Sequence, residues 1–503
     1  MPITRNPILP GFNPDPSCVR VEGVYYAVTS TFEYLPALPV YRSDDLDTWT
    51  HIGNVADRES QVGLAEIPSG FGVWAPTIRY RDGVFYVIVS IAGSPRGCVV
   101  YTATDPAGPW SDGITIDGVR GIDPDIAWDD DGRVFVTYSG LIMDNVEGWS
   151  HHGILQVEVD LDRGIALEEP RSLWSGTGLT APEAPHVYLR DTTWFLVIAE
   201  GGTSRGHSVS VARSERIQGP YEGCPSNPVL SAGGSDRSIV STGHADLITA
   251  PDGTDMMLLL ATRTVSSGTF SPIGRESFLT PVTWVDGWPI PAVVEYNPSP
   301  EGLEETFDFS AGADVSDPGW LAVAQPPQEL ARPVSGALEL VGAGVGLESP
   351  RPVFVGRRQR HLESSTRAVV DVRAGEGGLA LRFDEHSFIE LFAVTDTEGG
   401  ALVTGTAVTP SATQRWETRV PDAAAVVLAL ETALPDSLEG RAAADSIRLR
   451  VGDGDSLTQL AQVDGRAWSV EVAAPFTGRI IGVAVRTGTV RVSQYGYHGA
   501  AGS

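Results

Sequence analysis

Three acidic residues in similar local sequences could together carry out acid–base chemistry. They are Asp15 in the segment NPDPS, Asp123 in DPDI and Glu183 in EAPH. Hydrolysis of a glycosidic bond needs a carboxylic acid, a carboxylate base and something that separates their pKa values. Taken singly, each residue is more often a turn or surface residue than a catalytic one, so the hypothesis depends on what brings the three together.

The local sequence suggests a role for each acid. Asp15 is flanked by two prolines, which we expect to hold it on a stiff, extended segment suited to a base that activates water. Glu183 has a longer side chain that can reach a glycosidic oxygen, and Ala184 and Pro185 offer it few competing partners. A like charge on Asp123 would raise the pKa of Glu183 and keep it protonated for general acid catalysis.

A repeated pattern predicts how these residues meet. A segment with a polar residue, then a turn, then a β-rich run begins near residues 13, 75, 123, 183 and 243. Short strands repeated at roughly 50 to 60 residues are typical of propeller blades. The sequence therefore predicts an all-β fold in which residues 1–297 form a five-bladed β-propeller. Because the first strand of each blade lines the axis, the three acids would converge on one funnel.

The chain changes character after a linker-like stretch at 297–302. From residue 303 onward, hydrophobic residues alternate in many short segments, which predicts a β-sandwich domain over residues 303–503. The one candidate for a helix of ordinary length is 421–430, and its pair of valines argues against it. No segment of the sandwich matches a pocket-closing loop. We expect it to be structural first, with carbohydrate binding or a homo-oligomer interface as alternatives.

Composition excludes several classes of function. The formal net charge of −29 at pH 7 would repel phosphate backbones, so we expect no nucleic-acid partner. All basic residues are arginine, which excludes Schiff-base, lysine-nucleophile and P-loop mechanisms. No apolar run is long enough to span a membrane. Three cysteines and an N-terminus without a secretory pattern lead us to expect a cytoplasmic protein.

Other residues near the predicted funnel could bind rather than react. Phe32 and Trp74 could stack on a sugar ring or simply pack within the blades. Arg275 could donate paired hydrogen bonds to sugar hydroxyls, or form a salt bridge with Glu276 or another acidic neighbour. His244 falls in the same slot of the fifth copy, where it could pack or bind a metal directly or through water.

Two rival functions are open to test. A Gly-x-Ser-x-Gly match at 202–206 suggests a serine hydrolase, but the match leads into a strand, whereas a nucleophile elbow opens a helix. The second rival is a non-catalytic sugar-binding propeller with a sandwich adhesion module. That protein would have no need for an acid, a base and a third carboxylate together.

With these residues in view, the chain resembles family 43 of the glycoside hydrolases, in its β-xylosidase and α-L-arabinofuranosidase branch with a C-terminal sandwich. The resemblance spans nearly the whole chain and rests on segments 6–17, 29–34, 74–76, 183–186, 200–203 and 274–276. It implies that Asp15 is the general base, that Asp123 modulates pKa and orients the acid, and that Glu183 is the general acid. It also implies inversion, which requires the two working carboxyls to stand roughly 6.5 to 9.5 Å apart.

The same resemblance gives the remaining residues their roles. Phe32 and Trp74 match residues that wall the sugar pocket, Arg275 matches an arginine that contacts the terminal sugar, and His244 matches a histidine near an axial metal ion, often calcium. The chemistry itself needs no cofactor. The expected activity is exo-acting release of terminal xylose, or of arabinofuranose as the alternative, from oligosaccharides. Ala184 stands where many relatives have glycine, so the sugar preference is less determined than the chemistry.

Overall fold

Antiparallel β-strands make up almost the whole protein. A computed structural model describes residues 4–142, 150–265, 270–435, 444–454, 456–473 and 476–503. Their strands form five sheets of four or five strands and one sheet of fourteen. The predicted all-β fold, a five-bladed propeller followed by a sandwich, is confirmed.

The five small sheets are the blades of the propeller. Blade 1 holds β1 (Ser17–Val21) and β2 (Val24–Val28), then the separate strand β3 (Tyr34–Leu35), then β4 (Ala37–Ser43) and β5 (Thr50–Ala56). A single-turn helix, α1 (Glu59–Val62), leads to blade 2, with β6 (Gly72–Arg81), β7 (Val84–Ala92), β8 (Gly97–Ala103) and β9 (Ile114–Thr115). Blade 3 holds β10 (Ile122–Trp128), β11 (Val134–Ile142), β12 (Ser150–Asp160), β13 (Ile165–Ala166) and β14 (Arg171–Trp174). Blade 4 holds β15 (Glu183–Arg190), β16 (Thr193–Glu200), β17 (Ser208–Ser214), β18 (Glu222–Gly223) and β19 (Leu230–Ser231). Blade 5 holds β20 (Ile239–Thr249), β21 (Asp255–Arg263), β22 (Arg275–Val285) and β23 (Trp288–Pro291).

The large sheet folds into the sandwich. Its first half contains β24 (Leu303–Asp308), a 3-10 turn (Phe309–Ala311), β25 (Leu321–Val323), α2 (Pro327–Leu330), β26 (Ala331–Val334), β27 (Ala337–Val341), β28 (Phe354–Arg358) and β29 (Ser364–Arg382). Its second half contains β30 (Phe388–Thr395), β31 (Ala401–Thr409), β32 (Ala412–Val420), β33 (Val426–Ala433), β34 (Ser446–Asp453), β35 (Ser456–Asp464), a 3-10 turn (Gly465–Trp468), α3 (Val470–Ala473) and β36 (Ile480–Gly499). Residues 421–430 form no helix, as their valine pair indicated, because the pair begins strand β33, whose alternate side chains enter the core.

The first strands of blades 2 to 5 carry the same irregularity near the axis, and blade 1 has a similar turn just before its first strand. In blades 2 to 5 two residues oppose one on the next strand, and the first of each pair has a left-handed backbone: Ala75, Asp123, Ala184 and His244, with φ between 49° and 54°. Asp15, just before β1, has a φ of 55°. These are bulges, which bend a strand and re-aim its side chains. The expected extended conformation of Asp15 is therefore wrong, because the chain turns at this position.

An N-terminal strap, residues 6–13, closes the propeller ring. Asn6 exchanges backbone hydrogen bonds with Asn297 at 2.7 and 2.8 Å, and the amide of Asn13 donates to the carbonyl of Arg275 at 3.0 Å. The strap therefore joins the chain start to blade 5. Because Asp15 follows the strap by two residues, these hydrogen bonds also fix the backbone that leads into Asp15.

The sandwich packs against the propeller through both backbone and buried charge. Strand β3 pairs with β25, so a propeller segment extends the sandwich sheet. Arg382 at the end of β29 is fully buried, and it donates to Glu33 Oε1 at 3.2 Å and to the Tyr34 hydroxyl at 2.9 Å. One hydrophobic cluster runs across the boundary and includes Phe12 and Phe354.

Replacing Arg382 by methionine tests whether this buried pair joins the two domains. We expect the free energy of unfolding to fall by about 3–5 kcal/mol, because Glu33 is left as a buried charge without its partner. Urea unfolding followed by fluorescence measures the change. Arg332→Met, an exposed position on β26, should change little. The double variant Glu33→Gln/Arg382→Met should recover most of the loss, and a double variant as unstable as the single one would contradict the assignment.

Candidate active site

A small pocket opens at one end of the propeller axis, where the inner strands of the blades meet. Its volume is about 60 Å³. All seven residues singled out from the sequence line it: Asp15, Phe32, Trp74, Asp123, Glu183, His244 and Arg275. The convergence follows from the bulges, which place one residue of each inner strand at the axis.

Asp15 is buried and surrounded by donors. Arg275 Nη1 lies 3.1 Å from its Oδ1, His244 Nδ1 lies 3.4 Å from the same oxygen, and the Ser30 hydroxyl donates to Oδ2 at 2.5 Å. Burial works to raise the pKa of Asp15, but Arg275, His244 and Ser30 outweigh it and hold the pKa below its usual range. Asp15 is thus an ionised carboxylate at neutral pH.

Glu183 has the opposite environment. Its side chain is 13% exposed, and burial first, then the charges of Asp123 and Asp15, raise its pKa well above the usual value. Glu183 precedes the left-handed residue of its blade, whereas Asp15 and Asp123 are that residue. The shared slot predicted from the repeat is therefore one residue out for Glu183, and Ala184 fills it.

Asp123 interacts electrostatically with both of the other acids. Burial raises its pKa to about 6, with Asp15 adding to the shift and His244 opposing it. Its Oδ2 accepts a hydrogen bond from the backbone amide of Ala184 at 3.0 Å. This bond fixes the backbone beside Glu183, so Asp123 both positions the glutamate and acts on its charge.

Arg275 lies at the contact between the propeller and the sandwich. It pairs with Asp15 and not with Glu276, because Glu276 is held by Arg263 at 2.9 Å. The guanidinium lies over the rings of Phe32 and Phe476, 5.5 and 5.4 Å from their centroids, and Nη2 donates to the carbonyl of Phe476 at 3.2 Å. Arg275 thereby connects the sandwich segment to Asp15.

Phe476 is a pocket residue that the sequence did not reveal. It comes from the sandwich, yet it lines the pocket and stacks on Phe32 with 5.9 Å between the ring centroids and 4° between the planes. The sequence matched no segment of the sandwich to a pocket-closing loop, but the structure places Phe476 in the pocket wall. The glycine before Arg275 is a sequence feature that fits this close approach of the sandwich. In the structure Gly274 has a φ of 100°, and a Cβ there would lie 2.9 Å from Gly478.

His207 is a second residue that the sequence analysis missed. Its Nδ1 lies 2.9 Å from the carbonyl of Gly202 and 3.7 Å from Glu183 Oε1. Burial lowers its pKa to about 3, so the ring is neutral. His207 therefore borders Glu183 without adding a charge that would ionise it.

The surroundings of His244 bear on the expected metal ion. It faces Asp15, and its ring lies 6.0 Å from that of His186, which in turn contacts Arg79 Nη2 at 3.2 Å. No group of three His, Cys, Asp or Glu side chains among the described residues is arranged to hold a metal ion. Calcium takes six to eight oxygen ligands, which can be water molecules and backbone carbonyls as well as side chains. A calcium ion beside His244 stays a prediction.

The axial channel beneath the pocket is filled by a charge network. Arg79 lies 2.9 Å from Asp125 and 3.4 Å from Asp246, and Asp246 accepts a hydrogen bond from the Ser17 hydroxyl at 2.6 Å. These groups come from the inner strands of blades 1, 2, 3 and 5. The network connects four blades just after their left-handed residues and so supports the pocket.

The serine-hydrolase alternative has no support in the geometry. The loop at 202–206 connects strand β16 to strand β17, so Ser204 does not stand on a strand-to-helix elbow. The pocket is instead built from carboxyl groups, with the pKa of Asp15 held low and that of Glu183 raised.

None of the helices in the described parts of the chain has the length and apolar character of a membrane span.

Comparison with known proteins agrees with this geometry. The model of glycosyl hydrolases family 43 matches residues 4–289, and that of the β-xylosidase C-terminal concanavalin A-like domain matches residues 306–494. A xylosidase/arabinosidase of Butyrivibrio fibrisolvens is 40% identical over 299 residues, which are 58% of this chain and 56% of that protein. The chain thus spans little more than half the length of this relative.

Two further proteins match over more of their length. A non-reducing end α-L-arabinofuranosidase of Bacteroides ovatus is 36% identical over 416 residues, 78% of this chain and 76% of that one. The crystal structure of xylan β-1,4-xylosidase from Bacillus halodurans C-125 has a TM-score of 0.85 at 26% identity, covering 98% of this chain and 99% of that one. With both domains matched in order, the chain belongs to family 43 of the glycosyl hydrolases.

Proposed function

We propose that this protein is an exo-acting, inverting glycoside hydrolase that releases terminal xylose, or arabinofuranose, from short oligosaccharides. The observation that carries the proposal is one pocket in which the pKa of Asp15 is held low and that of Glu183 is raised. Two carboxyl groups with opposite shifts are what an acid and a base of glycoside hydrolysis require. The non-catalytic alternative has no use for this separation.

In the proposed reaction each carboxyl moves one proton. Asp15 takes a proton from a water molecule as the water oxygen attacks the anomeric carbon. The bond between that carbon and the leaving oxygen breaks, and Glu183 gives its proton to the leaving oxygen. Asp123 keeps Glu183 protonated beforehand and holds its backbone through Ala184.

The sugar class follows from the pocket and from the relatives. The pocket is small and lined by Phe32, Trp74 and Phe476, which suits one terminal ring better than the middle of a polymer. The Butyrivibrio relative is a xylosidase/arabinosidase, the Bacteroides relative is an arabinofuranosidase, and the Bacillus structure is a xylosidase. Xylose is our first expectation and arabinofuranose the alternative.

The role of Glu183 is tested by Glu183→Gln on nitrophenyl β-D-xylopyranoside and nitrophenyl α-L-arabinofuranoside. We expect kcat on the better substrate to fall by about 10²–10⁴, because no proton reaches the leaving oxygen. A dinitrophenyl substrate, whose leaving group needs little protonation, should lose far less. Asp15→Asn should lose activity on both leaving groups while still binding xylose, and exposed Asp44→Asn should lose none. Equal losses for Glu183→Gln on both leaving groups would contradict the acid role.

The role of Asp123 is tested by the pH dependence of kcat/KM. Activity needs Glu183 protonated, so it should fall as pH rises through the raised pKa of Glu183. Asp15 ionises below its usual range, so the acidic limb should lie at low pH. In Asp123→Asn the like charge is gone, the pKa of Glu183 falls, and the alkaline limb should move down by about one pH unit. An alkaline limb that stays in place or moves up would refute this role.

The contribution of the sandwich to the pocket is tested by Phe476→Ala. We expect KM to rise about tenfold, equivalent to ~1.4 kcal/mol, with a smaller change in kcat, because the ring walls the pocket and does not touch the transferred protons. Phe71→Ala is the matched control, since Phe71 packs on Trp74 at 5.6 Å without lining the pocket. Steady-state kinetics that show equal effects in both variants would argue against a direct role for Phe476.

A further inference from the structure

A second, much larger cavity lies between the propeller and the sandwich. Its volume is about 570 Å³, within the range of small-molecule sites. The N-terminal strap forms one side, the stretch from Thr48 to His51 forms another, and the end of strand β28 with the residues that follow forms the third. None of the three acids of the pocket lines this cavity.

Arginines gather on the sandwich side of the cavity, although the protein as a whole is strongly acidic. Arg357 pairs with Asp317 at 2.6 Å and with Glu305 at 3.5 Å, and Arg360 pairs with the same Glu305. Two carboxylates thus neutralise two guanidinium groups. A third arginine of the cluster, Arg358, is left over.

Arg358 is buried without a counter-charge. It is 7% exposed, its Nε donates to the carbonyl of Phe12 at 2.6 Å, and its Nη2 has no hydrogen-bond partner among the described residues. No carboxylate in the described parts of the chain lies within ion-pair distance of it. Burial lowers its pKa, and Arg357 and Arg360 add to that shift. An unpaired buried charge is costly, so an anion at this place would be stabilising.

A second unsatisfied group lines the same cavity. His51 Nε2 is buried and without a hydrogen-bond partner among the described residues. Burial, reinforced by Arg358, lowers the pKa of His51 to about 4, so the ring is neutral at pH 7 and can donate one hydrogen bond. The wall of the cavity therefore contains one guanidinium and one imidazole with an atom that lacks a partner among the described residues, and the carboxylates of Asp47 and Glu301 also line it.

The remaining walls indicate that the ligand has an organic body. Trp49 is half-buried in the cavity wall, and Ile8, Leu9 and Pro10 of the strap are also part of the lining. A bare inorganic anion would leave most of the volume empty. An aromatic face beside apolar strap residues suits a ring or a short carbon skeleton.

We propose that this cavity is a binding site for a small organic oxyanion, with its carboxylate or phosphate group on Arg358 and its body against Trp49. A guanidinium group matches either oxyanion through two parallel hydrogen bonds, which makes carboxylate and phosphate the shared chemistry. The site is separate from the sugar pocket and does not depend on the hydrolase activity.

Isothermal titration calorimetry on the full-length protein tests the site, at constant ionic strength with three anionic probes and one neutral one. Glucuronate carries a carboxylate on a ring, glucose 6-phosphate carries a phosphate on a ring, inorganic phosphate has no organic body, and glucose has no charge. We expect saturable 1:1 binding of glucuronate or of glucose 6-phosphate, and the tighter of the two identifies the group. Binding should also raise the midpoint of thermal unfolding with ligand concentration.

Variants at the two ends of the cavity localise the binding. Arg358→Gln should weaken it at least tenfold. Thr48→Glu, at an exposed position on the cavity wall, should also weaken it by charge repulsion, whereas Thr48→Gln should not. The Thr48 pair keeps the test valid if Arg358→Gln fails to fold. Exposed Arg415→Gln on β32 is the control for loss of one positive charge.

Four results would overturn the proposal. They are no saturable binding of any anionic probe at millimolar concentration, inorganic phosphate binding as tightly as the two organic acids, glucose binding as tightly as glucuronate, and equal affinities in Thr48→Glu and Thr48→Gln. The first denies the site, the second and third deny the ligand class, and the fourth places the binding elsewhere.

Discussion

A carboxylate buried at the end of a propeller axis stays ionised only if positive charge and hydrogen-bond donors outweigh the loss of water. Asp15 meets this condition through Arg275, with His244 and Ser30 in support. Arg275 is itself fixed by the carbonyl of Phe476 and by two flanking rings. The base of the proposed reaction therefore depends on a contact between the two domains, and the protonated state of Glu183 depends in turn on the negative charges nearby.

The recurring bulge is the structural device that makes this arrangement possible. The inner strands of blades 2 to 5 leave the regular ladder for two residues, and in blade 1 the left-handed Asp15 comes just before the strand. Left-handed backbone at a residue other than glycine is uncommon and is retained where surrounding structure holds it. Here the channel network around Arg79 and Asp246 supplies that support directly beyond the bulges. One repeated irregularity thus yields Asp15, Asp123 and His244 in one ring, with Glu183 one residue earlier.

The sandwich has three separate relations to the propeller. It closes the sugar pocket with Phe476, it anchors the 32–35 segment through Arg382 and Glu33, and it encloses the large cavity with Arg358. In each case an arginine or an aromatic ring of the sandwich contacts a segment adjacent to an active-site residue. Because Arg358 donates to Phe12, the cavity also touches the strap that delivers Asp15.

The sequence by itself determined the fold class, the five repeats and the chemical types of the seven pocket residues. It could do so because turn residues and alternating strands are local signals that recur at each blade, and a proline follows the left-handed residue in blades 1 to 4. It gave the wrong backbone for Asp15, because proline preference describes an isolated segment and the bulge is imposed by the neighbouring strands.

Three contacts are visible only in the tertiary structure. Phe476 lines the pocket, Arg275 forms its ion pair with Asp15 and not with Glu276, and Arg358 has no acidic partner among the described residues. These contacts join residues more than two hundred positions apart, or they depend on which of several carboxylates lies within reach. Residue type and spacing carry no information on such choices, because burial and the packing of one domain on another set the distances that determine ion pairing and pKa.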